Sequence, residues 1–217
     1  MQQQPIPQQP YPQPQQVVAQ AQGSALAAGP FAHPNYTVKR SYWSFLGRVT
    51  RVYAPDGMLV AYVKKPVMKW KEEMTFFADE AQTQPVMVVK ARQAIAMNLI
   101  RDVFDAATGA RVGIIRQKGL KSMFRDTWEL LDEQEQPIGL MQEDGSSFLR
   151  RMFPLLLGKW HIEVGQQHCA YVKQVWRFFA KEYTLDLSPN QGRIDPRFAM
   201  ACAVLALMAE SRREQAN

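Results

Sequence analysis

The stretch "DPRFAMACAVLALMAESRRE" (residues 195–214) contains a run, residues 198–209, without a charge or a side-chain amide. A helix that crosses a bilayer needs roughly 20 apolar residues, whereas a run of about 10 to 14 is more often a core element. Asp195 is a suitable N-cap and Pro196 suits the first helical position. The sequence therefore predicts a self-contained buried helix and no transmembrane span.

A helix that is apolar on every face must be surrounded by other elements. From residue 48 onward, short β-favouring runs alternate with turn signals, which is typical of successive hairpins. Four hairpins are predicted, with turns at residues 55–57, 105–109 and 132–136 and within "KWHIEVGQQHCAYVKQV" (residues 159–175). Further strands are predicted at residues 67–72, 74–78, 86–91 and 182–187.

About a dozen strands indicate a closed barrel or a sandwich. Alternation in residues 159–164 places Lys159, His161 and Glu163 on one face and apolar residues on the other. A barrel of many strands is too wide for its own side chains to fill. The predicted fold is therefore mainly β: an antiparallel barrel of about twelve strands, closed around the C-terminal apolar helix.

The first 38 residues carry no Lys, Arg, Asp or Glu, and within residues 2–16 only Ile6 and Tyr11 are neither Gln nor Pro. Such a composition buries too little apolar surface to fold. We predict a disordered Pro/Gln-rich tail over residues 1–38, which tethers the protein or recruits protein partners, and a barrel domain over residues 39–217. No secretory signal is recognisable, so a cytoplasmic location is expected.

Motifs for nucleotide, zinc and redox chemistry are absent, namely GxxxxGK[ST], GxGxxG, HExxH and CxxC. The two cysteines, Cys169 and Cys202, cannot form a disulfide framework. His33, His161 and His168 are interpreted as solvated side chains, because no second ligand is at metal-binding spacing in the sequence. The chain is expected to be no enzyme and to bind no cofactor or metal.

A net charge of +6 and a pI near 9.4 favour binding of an anionic partner, either membrane lipid or nucleic acid. No nucleic-acid motif supports the latter. In "SSFLRRMFPLLLGKW" (residues 146–160), arginines beside apolar residues suit either a membrane-surface element or a core-packed connection. The candidate lipid-binding residues form three clusters: Lys64, Lys65, Lys69 and Lys71; Lys118, Lys121 and Arg125; and Arg150, Arg151 and Lys159.

The stretch "VFDAATGARVGIIRQKGLKSMFRDTWELLD" (residues 103–132), with the phrase "RDTWE", resembles the LURP-one-related proteins. The apolar helix after "YTLDLS" resembles those proteins and the phospholipid scramblases, both of the tubby C-terminal superfamily. The similarity extends over roughly residues 40–213 and implies a barrel around a central hydrophobic helix. The scramblases' cysteine-rich cluster has no counterpart, and Asp186 and Asp195 alone cannot supply the six to eight oxygen ligands of calcium.

The expected function is a non-enzymatic barrel module at the membrane periphery. It would associate with anionic, phosphoinositide-like lipid or tether a partner at the membrane. Two alternatives remain: scramblase-like phospholipid movement, which requires the final helix to enter a bilayer, and a ligand-free structural interaction module.

Overall fold

The computed structural model describes residues 29–41, 48–65, 73–92, 99–117, 127–144, 158–177 and 180–216. These residues form twelve strands and a C-terminal helix: β1 (Asn35–Ser41), β2 (Arg48–Tyr53), β3 (Leu59–Lys65), β4 (Glu73–Phe77), β5 (Pro85–Ala91), β6 (Leu99–Asp105), β7 (Arg111–Gln117), β8 (Thr127–Leu131), β9 (Pro137–Glu143), β10 (Lys159–Val164), β11 (Gln167–Val175), β12 (Ala180–Asp186) and α1 (Pro196–Ala216).

The strands form a closed barrel in which each strand pairs antiparallel with its sequence neighbours. Strand β1 pairs with β12, with Tyr36 opposite Leu185, and so closes the ring. The predicted closed barrel and the four predicted hairpins are confirmed, as β2–β3, β6–β7, β8–β9 and β10–β11. The strand predicted at residues 67–72 lies outside the described residues, and the other three additional strands are β4, β5 and β12.

Because neighbouring strands are antiparallel, the connections alternate between the two ends of the barrel. We call the end at which β2, β4, β6, β8 and β10 finish the turn end, and the end at which β1, β3, β5, β7, β9 and β11 finish the far end. Short turns join the strands at the turn end. In the β10–β11 turn, Gly165 and Gln166 both have positive φ, as a two-residue turn of type I′ requires.

Helix α1 begins at the turn end and runs inside the barrel. The backbone N–H of Arg197 donates to Oδ1 of Asp195 at 2.8 Å, which confirms Asp195 as the N-cap. Every residue from Phe198 to Met208 is buried, with at most 7% of its surface exposed. The prediction that the apolar helix forms the barrel core is confirmed. No helix in the described part of the chain has both the length and the apolarity needed to cross a membrane.

The strands present their apolar side chains to this helix. Trp160 and Ile162 of β10 are buried, as the alternation predicted, and Val38, Phe76 and Leu130 are fully buried on other strands. These residues belong to a single hydrophobic cluster with the helix. The barrel and the helix therefore share one core.

The folded part begins earlier than predicted. Strand β1 starts at Asn35, inside the segment assigned to the tail, and Phe31 is 8% exposed. The hydroxyl of Tyr36 donates to the carbonyl of Pro30 at 3.3 Å, and Leu187 N–H donates to the carbonyl of Pro34 at 2.6 Å. The predicted boundary is the first charged residue, Lys39, but β1 begins before it and buries the uncharged Tyr36 and Val38. Residues 1–28 lie outside the described residues.

Candidate functional site

The structure describes only part of the predicted basic set. Lys64 and Lys159 are exposed, and Lys65 is the last residue of β3, although its side chain is not described. The other seven candidates lie outside the described residues: Lys69, Lys71, Lys118, Lys121, Arg125, Arg150 and Arg151.

The strand termini that flank these seven residues all lie at the far end. Residues 66–72 connect β3 to β4, residues 118–126 connect β7 to β8, and residues 145–157 connect β9 to β10. Lys64 and Lys159 are themselves within one residue of the far end of their strands. Three clusters that are distant in sequence are thus attached to one end of the barrel. The strand termini to which these clusters are attached are distributed around the rim, since β3 and β10 are separated by β2, β1, β12 and β11.

The described cations of this set differ from other surface cations in their ion pairing. Within the described residues, neither Lys64 nor Lys159 has an ion-pair partner, and Lys159 lies opposite the exposed Lys173 of β11. Other surface cations are paired: Lys39 with Glu182 at 3.8 Å, Arg51 with Glu80 at 2.7 Å and Lys90 with Glu73 at 3.9 Å. Two amines on adjacent strands increase the local positive potential.

Trp176 is a far-end residue that the sequence analysis missed. It follows β11 directly and is 52% exposed, and the neighbouring Arg177 pairs with Glu182 at 3.3 Å. A tryptophan beside cations suits a membrane–water interface, where an apolar ring meets polar headgroups. The sequence did contain a pattern that could have identified Trp176: the aromatic and basic stretch "VWRFF" (residues 175–179) directly follows a predicted strand.

The interior of the barrel is also charged near the far end. Arg40, Arg101, Glu143 and Lys181 are buried, each at most 9% exposed, and Arg40 lies opposite Lys181 across β1 and β12. Each of the four residues has a hydrogen-bonding or electrostatic interaction within the protein. Cations near the end of a helix offset the negative end of its dipole, and α1 runs towards this end.

A second polar cluster lies on the outer surface of the β10–β11 hairpin. His161, Glu163 and His168 place one ligand atom each within 4.8 Å of one another. The sequence interpretation treated the two histidines as isolated, and that spacing argument was wrong. The two-residue turn brings His168 opposite Glu163, and His161 precedes Glu163 by two residues on the same face. A recognised hairpin with a two-residue turn contained enough information to find this cluster.

The two cysteines do not suit nucleophilic catalysis. Cys169 and Cys202 are fully buried, and burial raises the pKa of both thiols. A raised pKa keeps each thiol protonated at neutral pH, whereas a nucleophilic cysteine must form the thiolate. His168 is exposed while the adjacent Cys169 faces the core, so the two do not form a catalytic pair.

Comparisons with known proteins identify a matching family and a similar solved structure. A family model described as LURP-one-related matches residues 59–207, from β3 into α1. A crystal structure of a protein from Arabidopsis thaliana resembles the chain with a TM-score of 0.46 and 13% identity, over 83% of this chain and 93% of that one. No curated protein matches the chain. Because the family match extends over well over half of the sequence, the chain belongs to the LURP-one-related family.

Proposed function

We propose that the protein is a non-enzymatic barrel module that associates with anionic membrane lipid through its far end. The observation that carries this proposal is the position of the strand termini: those flanking all ten candidate cations lie at the same end of the barrel. Cations on a rigid frame approach a flat anionic surface together. Lys64, Lys159 and Lys173 supply exposed charge, and Trp176 supplies an interfacial ring.

The magnitudes favour weak, reversible association. Each basic residue near an anionic leaflet contributes about 1 kcal/mol, and the attraction falls off within a Debye length of about 8 Å at physiological ionic strength. Several such contributions suffice for peripheral binding that high salt abolishes. Binding should therefore prefer phosphatidylserine or phosphoinositide over neutral lipid.

Burial of the helix disfavours the scramblase-like alternative. Residues 198–208 are enclosed by the barrel, and their apolar surface forms its core. To enter a bilayer, the helix would have to leave this core and expose the inward faces of the strands to water. Peripheral contact through the rim requires no such opening.

The test is liposome flotation of the full-length chain with three compositions: neutral phosphatidylcholine, and the same lipid with phosphatidylserine or with a phosphoinositide. We expect flotation with the two acidic compositions and loss of flotation at high salt. Lys64→Glu with Lys159→Glu should weaken it, as should Arg150→Glu with Arg151→Glu. The matched control for Lys159→Glu is Arg193→Glu, which reverses one exposed charge before α1, at the turn end.

Trp176→Ala separates interfacial insertion from pure electrostatics. It should weaken flotation at low salt without removing the preference for acidic lipid, because the cations remain. Equal flotation with neutral and acidic vesicles would remove the lipid proposal. An equal effect of Lys159→Glu and Arg193→Glu would remove the assignment to the far end and assign the attraction to the net charge of the chain.

A further inference from the structure

We propose that His161, Glu163 and His168 form a binding site for a divalent transition metal, of which Zn²⁺ is the best match. Two imidazoles and one carboxylate are a ligand set that zinc uses when a fourth position is left open to water or another ligand. The three side chains are on one surface of the β10–β11 hairpin, near the turn end. None of the three ligands is among the cations of the proposed lipid contact, so the two proposals are tested with different variants.

Two of the three distances between ligand atoms match the edges of a tetrahedral site. Glu163 Oε1 is 3.3 Å from His161 Nε2 and 3.5 Å from His168 Nδ1. Two ligands bound to zinc at about 2.0–2.1 Å in tetrahedral geometry are about 3.3–3.4 Å apart. The remaining separation, between the two imidazole nitrogens, is at most 4.8 Å. The side chain of His168 is 47% exposed, against 14% for His161, so His168 is the ligand that must move to shorten that edge when a metal binds.

A second carboxylate orients the first histidine. The Nδ1 atom of His161 is in contact with Oδ1 of Asp144, which leaves Nε2 directed towards Glu163. A carboxylate that accepts a hydrogen bond from one ring nitrogen fixes the tautomer and makes the other nitrogen a better metal ligand. Asp144 follows β9, so a third strand of the barrel helps to position the site.

The hairpin also constrains the second histidine. A register shift between Ile162 and Glu163 makes Tyr171 the partner of His161, and Tyr171 stacks on His168 with the ring centroids 5.5 Å apart. The side chains of His161 and Glu163 are only 14% and 28% exposed. Half-buried ligands on paired strands lose little conformational freedom when a metal binds, which favours affinity.

The experiment is calorimetric titration of Zn²⁺ into the full-length, untagged chain, with thermal melting in the presence of Zn²⁺ or a chelator. We expect one Zn²⁺ per chain, a melting temperature raised by Zn²⁺, and no displacement by Ca²⁺, which prefers oxygen ligands. His161→Ala, Glu163→Gln and His168→Ala should each weaken binding tenfold or more. His33→Ala is the matched control, because His33 contacts Tyr36 and is not in the cluster.

Asp144→Asn tests the positioning role separately. Loss of a carboxylate behind a ligating histidine weakens metal affinity by about 10- to 100-fold without removing a ligand. The visible spectrum of bound Co²⁺ should show a four-coordinate site that His168→Ala abolishes. Failure to take up Zn²⁺, or uptake that the three ligand variants reduce no more than His33→Ala does, would overturn the proposal. If the chain takes up no Zn²⁺ and His161→Ala is less stable than the wild type without metal, the cluster serves ion pairing alone.

Discussion

The ring of Phe198, near the start of α1, packs directly on Gly113 of β7. A Cβ atom at Gly113 would be 2.7 Å from two carbons of that ring, closer than carbon atoms approach. Gly113 is buried and Phe198 is 1% exposed. The glycine thus creates the space that lets the helix enter the barrel at its turn end.

We expect Gly113→Ala to destabilise the protein by about 1–3 kcal/mol, the usual cost of overpacking a tight core. Combining it with Phe198→Leu should restore part of the loss, because the smaller side chain vacates the position of the new methyl group. The measurement is a double-mutant cycle by chemical denaturation. Strictly additive effects would contradict a direct contact between the two residues.

Gly139→Ala should be worse than Gly113→Ala. A Cβ at Gly139 would be 1.8 Å from the carbonyl oxygen of Glu163, so the obstacle is the backbone of β10 and not the end of a side chain. The two strands would have to separate or shift register, which costs hydrogen bonds as well as packing. Thermal melting of the two variants side by side tests the ranking, and an equal or smaller effect of Gly139→Ala would contradict it.

The start of the helix is also held by charge. Arg197 contacts Asp105, the last residue of β6, and Asp195 at 2.7 Å. Burial alone would raise the pKa of Asp105, but hydrogen bonds from Thr108 and the charge of Arg197 outweigh it and lower that pKa. Because the folded-state pKa is below the unfolded value of about 3.9, this group stabilises the fold above that pH and loses its contribution as pH falls through the folded-state pKa.

Asp105→Asn should therefore lower stability at neutral pH by about 1.5–3 kcal/mol, the usual range for hydrogen bonds to charged groups. Its deficit relative to the wild type should shrink as pH falls below about 4. Asp56→Asn is the matched control, since Asp56 accepts a hydrogen bond from Met58 within its own exposed turn. Denaturation midpoints measured between neutral pH and about pH 3 test this. A deficit that stays constant with pH would contradict it.

The enclosed helix should be the most sensitive element. Leu205 is 4% exposed, and Leu205→Asp would place an unpaired charge in the core, at a cost above about 4 kcal/mol. Leu205→Met conserves volume and should cost less than about 1.5 kcal/mol. Likewise, removing residues 195–217 should leave a chain that does not melt cooperatively. A soluble, cooperatively melting barrel without the helix would contradict the shared core.

The fold was predictable from the sequence because its periodicities are local. The apolar run of residues 198–209 had to be enclosed, and the turns at residues 55–57 and 132–136 marked the hairpins that enclose it. Closure of β1 on β12 needs a pairing between residues about 150 apart, and the charge-free composition around Asn35 gave no signal for that strand. The number of predicted strands was enough to predict the barrel class. The sequence did not predict the first strand, β1.

The candidate sites were predictable to a smaller extent. Basic clusters are visible in the sequence, but their common position at the far end follows only from the alternation of antiparallel strands. Trp176 directly follows a predicted strand, but the sequence does not show whether its side chain is exposed, as it is in the structure. The approach of His161 to His168 depends on the type of turn, because a one-residue change in loop length would move His168 to the opposite face.

The last prediction concerns the N-terminal boundary, which the structure moves to before Asn35. Deleting residues 1–28 should leave the melting temperature unchanged, because a Pro/Gln-rich stretch has little apolar surface to bury. Deleting residues 1–34 should lower it by about 5–10 °C. This deletion removes the burial of Phe31, worth about 2 kcal/mol, and the hydrogen bond from Leu187 to Pro34, worth about 1 kcal/mol. Phe31→Ala in the full chain should reproduce most of the loss, whereas Ile6→Ala, a matched apolar deletion within the tail, should have no effect. An equal fall in melting temperature for the two deletions would show instead that residues 1–28 themselves pack on the barrel.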